Sequence, residues 1–387
     1  MRIAHVITRM ILGGAQENTL LCCRDLMRDY GDDVLLITGP ALGPEGSLLD
    51  KARLWGVPIA EIPELRRAIH PWRDFVSYRK ISAVLREFQP HVVHTHSAKA
   101  GILGRKAAWK LGVPVIIHTV HGAPYHPYQP APARWFVKIC ETYAAKRCHA
   151  LISVADAMTD LLAGDGVAGR EKFTTIYSGM EIEPFLEADT HRARMRRTLG
   201  YTEEHCVVGK IARLFHLKGH NDLIHAAETI VREAPQVRFL LVGDGILRPQ
   251  LEAEIARRGL TEYFRFVGLV PPEELPSYLG AMDIVVHTSL REGLARVLPQ
   301  ALLAGKPVVS YDIDGAREVV LENETGYLVP PRNVAALSRS VVTLAADPQK
   351  RHNFGRRGRE LCQNRFCHKQ MTAQIRTLYE SLAEGRL

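Results

Sequence analysis

Four residues stand at the ends of apolar runs, where a folded chain exposes its chemistry: His121, Arg213, Lys218 and Glu292. Arg213 and Lys218 lie in GKIARLFHLKG, 209–219, in a loop after an apolar run ending at Ala212. An arginine forks onto phosphate oxygens and a lysine acts as a point charge, so the pair suits an anionic group above a sheet. Two solvated loop cations are the plain alternative. Glu292 opens EGLARVLPQALLAGKPVV, 292–309, after a run ending at His287 and before a helix read from about Ala295. The unpaired N–H groups and dipole of a helix start favour an anion. Gln300 is expected about two turns into that helix. Taken together, the cation pair and the helix start form a cradle for a diphosphate.

Histidines make a second cluster. His94 and His96 alternate onto one face of their strand, and His118 and His121 follow the next one in HTVHG. Two histidines two apart can ligate zinc, but further ligands cannot be placed and no metal is expected. Polar residues at strand edges are the plain alternative. His121 is singled out because Gly122 leaves room for a ligand. Asp312-Ile313-Asp314 is a D-x-D, a triplet that holds a divalent metal in some sugar-transferring enzymes; capping a helix near Ala316 is the expected job of Asp314. Gly13–Gly14 follows the first apolar run and permits positive φ and close backbone approach. It is not G-x-G-x-x-G, Gly243-Asp244-Gly245 lacks the third glycine, and no phosphate-binding G-x-x-x-x-G-K-[ST] occurs.

The elements that must position these residues alternate. Strands are read at 3–8, 34–37, 92–96, 115–119 and 151–154, then again at 207–212, 238–242, 264–267, 284–287, 307–310 and 326–329. Their nearly all-apolar character predicts parallel sheets covered on both faces. Between the two series, EPFLEADTHRARMRRTLG breaks the pattern and reads as a connection with a short surface helix. In the last helix Met371, Ile375, Leu378 and Leu382 form an apolar stripe. The fold class is α/β, with two doubly wound Rossmann-like domains facing across a cleft: 1–185, 186–365, and a closing helix at 366–387 that packs back toward the first domain.

Composition excludes other classes. With 387 residues, 46% hydrophobic and 24% charged, the chain supports two cores and is not disordered. Seven cysteines without a C-x-x-C pair argue for reduced thiols in a cytoplasmic protein. No apolar run spans a membrane, and MRIAHVITRM has no secretory h-region. The net charge of +8 and the basic run Lys350–Arg359 bring no nucleic-acid motif, so no nucleic acid is expected. Arg66, Arg67, Arg73, Arg79, Lys80 and Arg86, mixed with Trp72, Phe75 and Tyr78, suit peripheral contact with anionic lipid at the inner face of the plasma membrane, or a buried acceptor-side helix.

The ordered motifs resemble glycosyltransferase family 4, whose fold is GT-B. GGAQ at 13–16, HVVHTHSAKAGILGR at 91–105, HTVHG at 118–122, YSGME at 177–181, GKIARLFHLKGH, LVGDGILR and the Glu292 region carry the likeness over nearly the full length. The resemblance implies transfer of a sugar from a nucleotide diphosphate sugar, UDP-linked by preference, to a glycan or lipid-linked acceptor with retention, and without metal or other cofactor. It implies that Arg213 and Lys218 hold the diphosphate and that the backbone of Gly293, Leu294, Ala295, Arg296 and Val297 meets the phosphates. By the same likeness Val267 and Gly268 line the base pocket, Glu292 contacts the sugar, His121 lies beside it, and Gly13 and Gly14 approach the phosphates. The family pattern is E-x7-E; here Gln300 takes the second place, keeping an acceptor oxygen for the ribose but no charge. Ser178 replaces the usual asparagine near the linker. Rival readings are a nucleotide-sugar epimerase or hydrolase of the same fold, and a non-catalytic nucleotide-sugar-binding protein.

Overall fold

The computed structural model describes residues 1–43 and 46–386. The chain forms two compact units: unit 1 is Met1–Met180 with Arg365–Leu387, and unit 2 is Glu181–Asn364. The sequence had placed the first boundary at 185. Instead, Glu183–Leu186 starts a short helix of unit 2, with Pro184 in its first turn and Phe185 buried.

Unit 1 carries β1 (Arg2–Ile7), β2 (Asp33–Thr38), β3 (Ile59–Glu61), β4 (Val92–His96), β5 (Val115–Val120), β6 (Ala150–Ser153) and β7 (Phe173–Thr175). They form one sheet in the order β3-β2-β1-β4-β5-β6-β7, parallel throughout. The strands β3 and β7 were not read from the sequence. Both are three-residue edge strands with half-exposed side chains, so neither shows an apolar run.

Unit 2 carries β8 (Cys206–Ile211), β9 (Val237–Val242), β10 (Phe264–Gly268), β11 (Ile284–His287), β12 (Val308–Tyr311) and β13 (Gly326–Val329). Their order is β10-β9-β8-β11-β12-β13, again all parallel. In each sheet the strand order reverses beside the first strand, between β1 and β4 and between β8 and β11. The crevice outside the carboxyl ends at such a switch point is where open α/β sheets bind ligands.

Apolar strand faces build each core. Val208, Phe239, Ile284 and Val309 of unit 2 pack with Ile224, Leu251 and Leu337 from its covering helices. In unit 1 the helix His368–Ala383 buries Met371, Ile375, Tyr379 and Ala383 against Ile3, Leu20 and Ile117. The expected stripe is rotated, because Leu378 and Leu382 are only partly buried. His368 Nδ1 lies 2.5 Å from Asp25 Oδ2, and Arg376 donates to Asp32 at 2.8 Å, pinning this helix to its neighbours.

The arginine-rich segment is not a surface helix throughout. Arg196, in the helix Arg192–Leu199, is 1% exposed. It donates to the carbonyls of Ala281, Thr202 and His205 and to Asp283 Oδ2 at 2.5 Å. A buried guanidinium survives only with such a full set of acceptors.

Candidate active site

In unit 2 the predicted residues collect at the carboxyl edge of the sheet. Lys218 follows β8, Glu292 follows β11, and the Lys218 ammonium forms an ion pair with Glu292 Oε1. Burial is the largest single influence and pushes the Glu292 pKa up, but attraction to Lys218, together with hydrogen bonds from Lys218 and Ser289 and the nearby His287, holds the carboxyl below its ordinary value. Glu292 is therefore an anion and hydrogen-bond acceptor at neutral pH, not a proton donor. His287 Nε2 lies 3.9 Å from the same oxygen, and burial lowers its pKa to about 3, so it stays neutral.

Beneath the pair sits Lys210, a residue the sequence reading passed over. It is 1% exposed and donates to Thr288 Oγ1 at 2.7 Å; Thr288 in turn donates to the Gly219 carbonyl at 2.7 Å. Burial, followed by the nearby Lys218 charge, lowers the Lys210 pKa to about 7. Its position inside β8 hid it, since a lysine in a strand reads as an outward-facing residue.

The loop carrying Lys218 is bent in a costly way. Leu217 has φ 66° and Gly219 φ 64°, and a Cβ on Gly219 would fall 2.0 Å from the Thr288 carbonyl oxygen. The left-handed turn draws the chain against the end of β11, where the Leu290 N–H donates to the Leu217 carbonyl at 2.8 Å. Left-handed backbone at a non-glycine residue persists only when its surroundings enforce it. Arg213 sits in the same loop, with its guanidinium 5.2 Å from the Phe215 ring centroid and its carbonyl accepting from His220 Nε2 at 3.0 Å.

Two expectations around Glu292 are corrected. The helix begins at Val297 rather than Ala295 and ends at Leu303, so Gln300 lies one turn in, not two. Gly293, Leu294, Ala295 and Arg296 form the loop ahead of it; Gly293 and Ala295 line a small recess with His287 and Glu292. Asp314 does not cap a helix. It begins a 3-10 turn with φ 45°, and its carboxylate accepts the Glu292 N–H at 2.6 Å. Asp312 is paired with Arg317. The D-x-D thus braces the Glu292 loop through one member and a surface arginine through the other. Val267 and Gly268 close β10 at the same sheet edge; Gly268 has φ 75°, and its carbonyl accepts from the Gly243 N–H at 2.8 Å.

In unit 1, Gly13 caps the helix Gly14–Tyr30 with φ 174°, an extended conformation open to any residue. Gly14 likewise avoids the left-handed region, so the positive φ that glycine permits is not used at this pair. An added Cβ on Gly13 would meet only the flexible end of Gln16. His121, beyond β5, is joined to His96 at 3.1 Å, and His96 to His5 at 3.0 Å. Ring nitrogens of His5, His94 and His96 lie within 4.8 Å of one another. Ser97, with φ 59°, was also missed; its hydroxyl is 2.7 Å from that of Thr8. No apolar-run signal points to it. An added Cβ on Gly122 would meet open space, in keeping with room beside His121.

Both units match known protein families. The glycosyl transferases group 1 pattern matches residues 191–361, and the glycosyl transferase 4-like domain matches 13–179. A UDP-Gal:alpha-D-GlcNAc-diphosphoundecaprenol alpha-1,3-galactosyltransferase of Escherichia coli is 28% identical over 349 residues, covering 90% of this chain and 88% of the relative. A 2-deoxystreptamine glucosyltransferase of Streptomyces kanamyceticus is 28% identical over 271 residues, 68% of this chain and 70% of that protein. The crystal structure of Anabaena Alr3699/HepE in complex with UDP superposes with a TM-score of 0.82 at 24% identity, covering 98% of this chain and all of that one (100%). Both units thus carry the sequence patterns of sugar-transferring enzymes, and the chain belongs to the group 1, family 4-like glycosyltransferases of GT-B fold, which act on nucleotide sugars.

Proposed function

We propose that the protein transfers a sugar from a UDP-sugar to a lipid-linked glycan acceptor, with retention of the anomeric configuration and without a metal. The observation that carries the donor assignment is the Lys218–Glu292 ion pair above the buried Lys210. A diphosphate competes with Glu292 for Lys218 and gains the second cation below. The carboxylate so released accepts hydrogen bonds from sugar hydroxyls. In the reaction the bond from the anomeric carbon to the β-phosphate oxygen breaks and its electron pair leaves with UDP. The acceptor oxygen bonds the same face of the sugar, and its proton passes to the departing phosphate. Charge grows on that phosphate in the transition state, and fixed cations aimed there stabilise it. Arg213 and the backbone of 293–297 are assigned to the same phosphates, and Gln300 to the ribose. The preference for UDP is supported by the printed names of the Escherichia coli relative and the Anabaena complex.

The acceptor assignment rests on unit 1. A cavity of about 540 Å³ is lined by Ile69, Ile102, Leu103, Phe136 and Val137, with Arg67 among its polar members. Ile69 and Phe136 continue onto the surface, where Trp72 and Trp135 are 69% and 66% exposed. An apolar slot opening beside exposed tryptophans and a cation suits the tail and phosphate of a lipid-linked sugar at a bilayer surface. No helix among the described residues is long and apolar enough to cross a membrane; the contact proposed here is a peripheral one at the cytoplasmic face.

A thermal-shift screen against UDP, GDP, ADP and their sugar conjugates, with and without EDTA, tests the donor reading. A ligand at 100 times its Kd stabilises by about 2.7 kcal/mol. UDP and one UDP-sugar are expected to raise Tm regardless of EDTA. No response to any nucleotide, or a response that EDTA abolishes, would contradict the proposal.

A further inference from the structure

The amino edge of the unit 2 sheet carries a second group of cations, for which the donor reading has no use. Asp283 immediately precedes β11, and Lys306 stands two residues ahead of β12. With Asp189, Arg192, Arg351 and His352 they line an open cleft of about 250 Å³. The Lys218–Glu292 pair lies past the other end of the same sheet. β11 and β12 are four residues each, so at about 3.3 Å per residue the two edges are about 13 Å apart.

Lys306 is poorly compensated. Its side chain is 8% exposed, and its ion-pair partner, Asp189 Oδ1 at 2.6 Å, belongs to a side chain that is 58% exposed. Burial lowers the Lys306 pKa by more than Asp189 restores. A buried ammonium needs acceptors for three N–H groups, and among the described residues only Asp189 accepts one. Arg351 gives its Nη1 to the carbonyls of Leu344 and Ala345, at the end of the helix Val334–Ala346. No described residue accepts from its Nε or Nη2. Arg192 is fixed at the wall by the Gly280 and Met282 carbonyls and by Asp283 Oδ1 at 2.8 Å. Asp283 has nothing left to offer the others. Its oxygens already accept from Arg192, from Arg196 at 2.5 Å and from the Val207 N–H at 2.7 Å.

The charge balance follows. The lining charges and those paired with them are Arg192, Arg196, Lys306, Arg351 and Arg359 against Asp189, Asp283 and the exposed Glu203, five cations to three carboxylates. A cleft lined by one excess sign concentrates the opposite ion. Guanidinium N–H groups fork onto phosphate oxygens, and an ammonium adds a point charge. The volume is below the roughly 300 Å³ at which pockets for drug-sized ligands begin, so the fitting ligand is small.

We propose that this cleft is a second anion site, separate from the donor cradle, which binds a small phosphate-bearing anion through Lys306, Arg351 and Arg192. The anion takes up the Lys306 and Arg351 N–H groups that the protein leaves over, and it ties the segment 189–192 to the turn before β12. The inference does not rest on the transferase reading.

The test is calorimetric titration of inorganic pyrophosphate and of glycerol phosphate into the full chain carrying Lys218→Ala, at an ionic strength held constant with chloride. That background removes the donor cradle from the reading. Saturable one-to-one binding is expected, and the tighter probe tells whether a free inorganic anion or a phosphate ester is the better ligand. Adding Lys306→Met or Arg351→Gln should weaken binding about tenfold or more, the loss of one charge-assisted contact. Methionine keeps the aliphatic stem and removes an under-compensated buried charge, so the fold should tolerate it. A further measurement leaves the cations intact. In the chain labelled with 15N-histidine, the His352 ring signals, assigned by their loss in His352→Asn, should move and saturate with the same probe. No saturable binding of either probe would overturn the proposal. So would equal affinity in Lys306→Met and Arg351→Gln, or His352 signals that stay in place while the anion binds. UDP binding by the wild type is read separately, so neither failure is mistaken for the other.

Discussion

The carboxyl edges of the two sheets are built alike and charged differently. Beyond β8 and β11 stand the ions Lys218, Glu292 and Asp314, tied by a salt bridge and by a hydrogen bond from the Glu292 N–H to Asp314, with Lys210 buried beneath them in β8. Above β1, β4 and β5 stand the neutral imidazoles of His5, His94 and His96. Near that edge, around Thr8 and Ser97, lies a cavity with a largely apolar lining. One strand topology thus supports an ion-lined edge in unit 2, where the diphosphate is proposed to bind, and an imidazole-lined edge in unit 1 near a cavity that mixes apolar with charged side chains. The sheet supplies the location, and the side chains at the strand ends supply the chemistry.

Removing charge at the unit 2 edge should have the largest effect. Glu292→Gln keeps the shape but loses the carboxylate, so kcat should fall about 100-fold, the usual size of one electrostatic contact to the transition state. UDP affinity should hold or tighten, since Lys218 loses its competitor. Steady-state kinetics beside UDP titration separates the two; weaker UDP binding without a fall in kcat would break the comparison. A smaller effect is expected beneath the pair. Lys210→Met should raise stability by about 1–2 kcal/mol near pH 6 while weakening UDP binding, a trade of function against stability. The sign follows from the lowered pKa, about 7 in the fold. Below that pH the lysine is charged in both states and its burial penalty is fully present. Between about pH 7 and 10 the folded state sheds the proton, so the stabilising effect of Lys210→Met should shrink as pH rises. Chemical denaturation at pH 6 and pH 9 reads this directly. The smallest effect belongs to unit 1. Trp72→Ala with Trp135→Ala should weaken binding to anionic vesicles about fivefold, equivalent to about 1 kcal/mol of apolar burial. Co-sedimentation unchanged from wild type would remove the membrane face from the account.

Lys218 and Glu292 were legible in the sequence because each follows an apolar run that can only be a buried parallel strand. Lys210 was not, because the sequence does not say that the end of β8 tucks under a left-handed loop at Leu217. Asp314 was read as a cap because capping is local, whereas its actual partner, the Glu292 N–H, is 22 residues away. The histidine spacing at 94 and 96 was visible. The link to His5 was not, since it spans 91 residues and depends on β1 pairing with β4. Arg196 misled for the same reason: its acceptors Ala281 and Asp283 lie in a distant segment. Local signals therefore placed the strand ends, while partners brought in by the topology decided what several of those ends do.

The central claim is that a nucleoside diphosphate binds at the Lys218–Glu292 edge of unit 2. Isothermal titration of UDP into wild type, Lys218→Ala and the unit 1 surface control Lys80→Ala, all in EDTA, tests it most directly. Lys218→Ala should weaken binding by about 100-fold, as expected for loss of a charge-assisted contact, and Lys80→Ala should bind as wild type does. Equal UDP affinity in all three proteins would contradict the account.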